Sequence, residues 1–368
     1  MSEGADVVIV GGGLMGCSTA VHCAAAGLSV IVLERFHVAR HASGANAGGV
    51  RRLMRHPAEI PLSLAAMEKW HRIAELVDDD CGFAVSGQVL VAETEAEMET
   101  IRKRHAEVSA LGYDYEELID AEELYRLVPA LVPGCVGGLV CRDDGFADPF
   151  RTSTAFRRKA EALGVDIREG STVTDFYRKD GYWRVETEAG FFDAHKVVNC
   201  AGSWAHRFAE RLGEPVPLEP FAPMMMVTAR MPAFVDPVVL SVGRSLSFKQ
   251  SAVGTVLIGG GHPGRPDMQT GASAIDFAEL GISARTVLDL FPVMRSATLV
   301  RAWAGIEGKM PDGIPVIGPS TTEEGLFHAF GFCGHGFQIS PIVGRIMSEL
   351  VMSAEVSLPI SPFAIDRF

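Results

Sequence analysis

The chain has 368 residues, room for two domains of ordinary size or one large discontinuous one. With 48% hydrophobic and 21% charged residues the composition is globular, which excludes a disordered, collagen-like or small disulfide-stapled protein. The 33 basic and 46 acidic residues leave a net charge of −13, without the basic footprint that phosphate backbones require, so no nucleic-acid partner is expected.

Seven cysteines (Cys17, Cys23, Cys81, Cys135, Cys141, Cys200, Cys333) are scattered and never form a CxxC pair. This argues against a zinc site, an iron-sulfur cluster or a disulfide framework and for a reducing, cytoplasmic location. The N-terminus shows no export signal. The apolar stretch from Leu14 to Leu33 is broken by His22, Gly27 and Ser29, so no membrane span is expected.

In chain order, the first unit runs from residue 6 to residue 34. Val7 to Val10 form a continuous apolar run, as in a strand buried on both faces. A glycine-rich turn, an alanine-rich helix and a second strand from Ser29 to Leu33, ending on Glu34, complete a βαβ unit. Ile60, Leu64, Met67, Trp70, Ile73 and Leu76 recur at helical spacing and predict an amphipathic helix within 57–80, and another is predicted over 95–111. The β-prone pieces at 87–92 and 136–141 break the wound pattern and begin an insertion. A helix over 150–163 leads back into strands at 165–169, 172–177, 182–187 and 197–200, separated by Asp-Gly and Ala-Gly turns. Between 215 and 291, prolines alternate with β-prone runs, as in a larger antiparallel sheet of the insertion. A strand at 325–329, a glycine-rich loop at 331–336 and a helix over 341–352 follow. The expected division is 1–82, 143–214 and 310–368 for a nucleotide-binding domain, with 83–142 and 215–309 for a substrate domain.

Gly11-Gly12-Gly13-Leu14-Met15-Gly16 places GxGxxG between strand and helix. Gly11 allows the tight turn, Gly13 lets backbone approach a pyrophosphate, and Gly16 permits close packing of helix on strand. The helix N-terminus then faces the phosphates, and Glu34, 18 residues after Gly16, can accept hydrogen bonds from ribose hydroxyls. FAD and NAD share this fingerprint, so on the turn alone an NAD-dependent dehydrogenase remains open.

Other segments separate the two cofactors. They are Ser43-Gly44-Ala45-Asn46-Ala47-Gly48-Gly49, the run 198–205, Asp144-Gly145-Phe146-Ala147-Asp148-Pro149, Trp303-Ala304-Gly305, the run 311–318, and Phe330 to Gln338 with its Gly334-His335-Gly336-Phe337. On these the chain resembles the D-amino-acid oxidase superfamily of FAD enzymes, most closely its sarcosine oxidase and glycine oxidase branch, over residues 6 to about 352. The resemblance implies an α/β fold: a Rossmann-like FAD-binding domain with an inserted mixed α+β substrate domain, the glutathione-reductase-type 2 or D-amino-acid oxidase-like arrangement. It implies FAD held by Gly11, Gly13, Leu14, Met15, Gly16, Glu34, Arg35, Ser43, Gly44, Asn46, Ala47, Gly48, Gly49, Val173, Ala201, Gly202 and Trp204. Gly334, His335, Gly336, Phe337 and Gln338 would lie against the flavin pyrimidine, where glycines let backbone N–H groups approach and the next helix presents its positive end.

At the substrate end, Arg52-Leu53-Met54-Arg55-His56 resembles a segment of monomeric sarcosine oxidases. This implies that Arg52 lies against the flavin and that Arg55 pairs with the substrate carboxylate, a bidentate match that lysine reproduces poorly. Three departures accompany it. The flavin-tethering cysteine of those enzymes would align near Gly305, so FAD is expected to be non-covalent; their second carboxylate-binding residue, a lysine, is Gln338 here; and an arginine of glycine oxidases is Glu307. His262, Arg265 and Arg301, with Arg244, are further candidates. If two of these converge with Arg55, the substrate carries two carboxylates, and Arg265 falls near the lysine that promotes oxygen reactivity in sarcosine oxidases. The expected contribution of His335 is its backbone and shape rather than general-base catalysis, while His22, Cys23 and Met224 to Met226 are read as packing.

The resemblance implies FAD-dependent oxidation of a small secondary or primary α-amino acid, such as sarcosine, glycine or iminodiacetate. The imine is hydrolysed to amine and oxo acid, and oxygen is reduced to hydrogen peroxide. The alternative is an FAD-bearing β subunit of a heteromeric sarcosine, proline or opine dehydrogenase that passes electrons to a partner subunit. A homo- or hetero-oligomer is compatible with both.

Overall fold

The computed structural model describes residues 3–368; Met1 and Ser2, at the start of the expected nucleotide-binding domain, lie outside the described residues. Strand β1 (Glu3–Val10), helix α1 (Leu14–Ala25) and strand β2 (Val30–Leu33) form the expected βαβ unit. Alternate residues of β1 serve two different cores: Val7 and Ile9 pack under α1 and the helix Gly336–Val351, whereas Val8 and Val10 face Phe176, Trp183 and Val197. Burial on both faces is why this strand reads as an unbroken apolar run.

These strands belong to an eight-stranded sheet in the order 316–319, 326–330, 190–199, β1, β2, 166–168. The four pairings from 326–330 to 166–168 are parallel, and 182–187 and 173–179 extend the sheet as an antiparallel flap on 190–199. The strands within 88–141 and 219–309 form a second, eleven-stranded sheet whose long strand Glu219–Thr228 pairs with four others, 256–259, 263–267, 299–304 and 307–309. Phe248 stacks on Phe291 at 4.1 Å between this sheet and the helix Phe277–Leu290, in a core of its own.

Two predicted helices differ in extent. The segment 57–80 is split into a 3-10 turn Pro57–Glu59, helix Ile60–Trp70 and a short helix Ile73–Val77, and the bend at His71 and Arg72 keeps both Trp70 and Ile73 buried. The last helix begins at Gly336, five residues before the predicted start, and contains Pro341. Proline has no N–H for the Phe337 carbonyl, and the Ser340 hydroxyl donates to that oxygen instead at 2.9 Å. No helix among the described residues is long and apolar enough to cross a membrane.

Candidate active site

A single cavity of about 1290 Å³ runs between the two sheets, from the turn before α1 to the wall formed by 331–337. At one end the backbone makes the site. Gly11 has φ +109°, and a Cβ there would stand 2.4 Å from the Cys200 carbonyl oxygen. A Cβ on Gly16 would stand 1.9 Å from the Gly11 carbonyl oxygen, so only glycine lets α1 sit this close to the turn. Gly13 is the N-cap of α1 without a side-chain cap, and Gly11, Gly13, Leu14 and Met15 line the cavity. The Leu14 N–H donates to Ser43 Oγ at 2.8 Å, and a helix N-terminus whose first turn has no acidic residue suits a diphosphate.

Glu34 closes this end. Its Oε2 accepts from Gly12 N at 2.7 Å and its Oε1 from Phe36 N at 2.8 Å, which fixes the carboxylate while leaving lone pairs for a ribose. Burial raises its pKa, and the two N–H groups oppose that rise. Arg35 lies over the rings of Phe36 and Trp204, at 5.0 and 5.8 Å. Ser43, Asn46, Ala47, Gly48, Gly49, Val173, Ala201 and Gly202 also line the cavity, as do Gly334, His335, Gly336 and Phe337. Gly16 and Gly44 stand behind the wall, Gly44 because a Cβ there would meet the Ala39 carbonyl oxygen at 2.3 Å. This set of residues fits FAD. Gly305 offers no side chain for a covalent bond to it, Asn46 is engaged in its own turn, and burial holds the two cavity-lining thiols protonated, Cys333 with a pKa of about 11 and Cys200 higher still.

The substrate end departs from the sequence reading. Arg52 lies away from the cavity: its Nε is 3.0 Å from Asp144 Oδ1, its Nη2 reaches Asp143, and its guanidinium covers the Tyr115 ring. Asp144 is fully buried and also accepts from the backbone N–H groups of Arg52 and Leu53, so it takes Arg52 as its counter-ion. Of Arg51, Arg52 and Arg55, the one that lines the cavity is Arg51; its Nη1 donates to the Leu53 carbonyl at 2.5 Å, and burial pulls its pKa down while Glu59, Asp144 and Glu116 support the charge.

Arg55 and Gln338 do meet, as their shared expected role required, but behind the wall. Arg55 Nη2 donates to Gln338 Oε1 at 3.1 Å, and Arg55 Nε donates to the Arg51 carbonyl at 3.0 Å. Gln338 Nε2 donates to the Ser63 carbonyl, and Trp70 Nε1 donates to the Gln338 carbonyl. Arg55 is 1% exposed, burial lowers its pKa to about 10, and its Nη1 has no partner.

The remaining candidates disperse. His262 is buried between Glu279 and the Ser245 carbonyl, Arg244 pairs with Glu93 and Asp289, and Arg265 and Arg301 are exposed on strands outside the cavity lining. Strand alternation turns Arg265 and Arg301 outward.

Two residues, Lys249 and Glu59, escaped the sequence reading, and a third, Glu307, was singled out there only as a departure from glycine oxidases. Lys249, on the strand Ser247–Gln250, is 4% exposed and stands 4.3 Å from the Phe146 ring; its Nζ lies 3.1 Å from where a Cβ on cavity-lining Gly48 would be. Burial lowers its pKa to about 7. The available signal was a lysine inside an otherwise buried strand. Glu59, fully buried, lies 3.0 Å from His335 Nδ1. Glu307 lines the cavity, accepts a hydrogen bond from Gly334 N, and is pushed up to about 7 by burial.

A family model described as FAD dependent oxidoreductase (DAO) matches residues 6–350. The glycine oxidase of Geobacillus kaustophilus is 25% identical over 376 residues, covering 100% of this chain and 98% of that protein, and the fold matches its crystal structure with a TM-score of 0.92. The sarcosine oxidase subunit beta of Rhizobium meliloti is 26% identical over 99% of this chain and 88% of its own length. The crystal structure of L-proline dehydrogenase from P. horikoshii is 26% identical, with a TM-score of 0.92 over 100% of this chain and 98% of that one.

Proposed function

The chain belongs to the DAO family of FAD-dependent oxidoreductases and acts on amine donors as an amino-acid oxidase or dehydrogenase, and on that premise we propose that its substrate is a small secondary or primary α-amino acid carrying one carboxylate. The observation that carries this reading is Arg51, a guanidinium in the wall of the same cavity that the glycine turn and Glu34 open onto. A guanidinium fork matches a carboxylate with two charge-assisted bonds, together worth about 1.5–3 kcal/mol in orienting a ligand. None of Arg244, His262, Arg265 and Arg301, the cations expected to serve a second carboxylate, lines the cavity.

Bound without a covalent link, FAD would supply the acceptor for the hydride from the substrate α-carbon. The protein's share is positioning. Arg51 holds the carboxylate, while Arg55, Ser63 and Gln338 hold the Arg51 backbone and the first turn of the last helix in one rigid block. Oxygen as the electron acceptor is supported by Lys249, because a buried ammonium favours the negative charge oxygen acquires when it takes an electron. The product imine would be hydrolysed to an amine and an oxo acid, with hydrogen peroxide as the other product.

A second reading is supported by the relative named as a subunit beta: a flavin-bearing subunit handing electrons to a partner. Adding sarcosine, glycine, proline or iminodiacetate anaerobically to the FAD-loaded protein tests the first reading. Bleaching of the flavin band by sarcosine, glycine or proline is the expected result; bleaching by iminodiacetate alone, which has two carboxylates, or by no small amino acid refutes it. Rapid recolouring in air marks an oxidase, whereas slow recolouring with a co-purifying larger chain marks the subunit.

A further inference from the structure

His335 stands where the glycine loop meets the substrate end, and its surroundings give it more than a backbone role. Its Nδ1 lies 3.0 Å from Glu59 Oε2. Glu59 is completely buried, and its other oxygen has no hydrogen-bond partner among the described residues. Burial alone would raise the Glu59 pKa, but His335, Arg55 and Arg51 outweigh it and the carboxyl is held below its ordinary value. An ionised carboxylate only accepts, so the neutral ring must carry its proton on Nδ1 and present a lone pair at Nε2. Nε2 has no protein partner among the described residues, and the side chain, 20% exposed, lines the cavity.

We propose that His335, oriented by Glu59, takes the proton from the substrate ammonium at Nε2 and so delivers the neutral amine. This rests on the amino-acid reading above. An α-amino acid enters at neutral pH as a zwitterion whose nitrogen lone pair is tied up in an N–H bond. That bond breaks, its electron pair stays on nitrogen, and the proton forms an imidazolium that the Glu59 carboxylate stabilises. No oxidant is consumed in the step. Arg51, which would hold the carboxylate, lines the same cavity as His335.

The charged groups facing the ring are Glu59 from the turn 57–59 and Arg51 and Arg55 from the segment after Val50. On its own loop Cys333 is a protonated thiol, and Glu307 of the strand Glu307–Lys309 bonds the neighbouring Gly334. Burial, then the two arginines, lower the His335 pKa from 6.5, and Glu59 opposes them. His335 is therefore neutral and able to accept a proton at pH 7. Glu59 acts through His335 and is a positioning residue.

The test is the pH profile of kcat/KM, or of anaerobic flavin reduction, with whichever amine reduces the FAD-loaded enzyme. Wild type is expected to lose activity on an acid limb below pH 6.5. His335→Gln should lower kcat/KM at pH 7 by about 10²–10⁴-fold and move the limb up to the pKa of the free amine. Glu59→Gln should lose less and move the limb down, because the carboxylate that raises the ring pKa is gone; Glu59→Asp should restore part of the shift. Independently of turnover, nitrogen NMR of the His335 ring, in FAD-free and loaded protein, should show the Nδ1–H tautomer in wild type and its loss in Glu59→Gln. An unchanged limb in His335→Gln, or an Nε2–H tautomer in wild type, overturns the proposal even if a variant fails to fold. If no amine reduces wild type, the proposed function fails, and the tautomer still decides whether the dyad exists.

Discussion

At the nucleotide end of the cavity, six consecutive residues from Gly11 to Gly16 and one carboxylate, Glu34, set the wall, and most of what they offer a ligand is backbone N–H. At the substrate end, Arg55 and Gln338 touch across 283 residues of sequence, and Glu59 and His335 across 276. The first region works through φ angles and the lack of Cβ atoms, the second through buried side chains that must find one another. Change of a side chain should therefore be catastrophic in the first region only when it adds volume, and in the second whenever it removes a partner.

The largest expected effect is on the turn. Gly16→Val adds atoms where a Cβ alone would already stand 1.9 Å from a carbonyl oxygen, so the protein should lose the flavin band entirely and unfold at lower temperature. Next come the adjacent arginines, which separate structure from binding. Arg52→Met leaves fully buried Asp144 without its counter-ion and should cost on the order of 3–5 kcal/mol in chemical denaturation, with KM of the surviving enzyme little changed.

Of similar size is an acid limb where the loop after the helix Ala205–Arg211 meets His328 of the nucleotide sheet. Burial raises the Glu214 pKa, but bonds from His328, Thr321 and Ser320 prevail and hold it at about 2, against 4.5 ordinarily. A depressed carboxyl stabilises the fold above pH 4.5, and that stabilisation disappears as pH falls through about 2. Glu214→Gln should cost on the order of 3 kcal/mol at pH 7 and flatten the decline of Tm between those values. Arg51→Met, in contrast, should leave Tm nearly unchanged and lower kcat/KM by about 10–100-fold, mainly through KM.

The smallest effect is at Lys249. Its folded pKa of about 7 lies below the ordinary 10.5, so the unfolded chain binds more protons between these values and stability rises with pH across that window. Lys249→Met should raise Tm by a few degrees at pH 7 or below while slowing recolouring of the reduced flavin in air. A Tm unchanged at every pH would show that the ammonium is better solvated than its burial indicates.

The sequence by itself determined the βαβ unit, its glycine turn and Glu34, because these depend on backbone conformation within some thirty residues and on an apolar run with one permissible burial. The motifs around 43–49, 144–149 and 334–337 also carried the family. Which of two neighbouring arginines faces the cavity was decided only in three dimensions: Asp144, 92 residues beyond Arg52, is fully buried and captures its backbone and side chain together. Glu59 and Lys249 became legible for the same reason. On a sequence each is an ordinary charge near a helix start or within a strand, and only packing shows that it is buried, what opposes it, and that a cavity lies beside it. A charged side chain takes its direction from the nearest buried group that needs it, and the fold alone brings that group close.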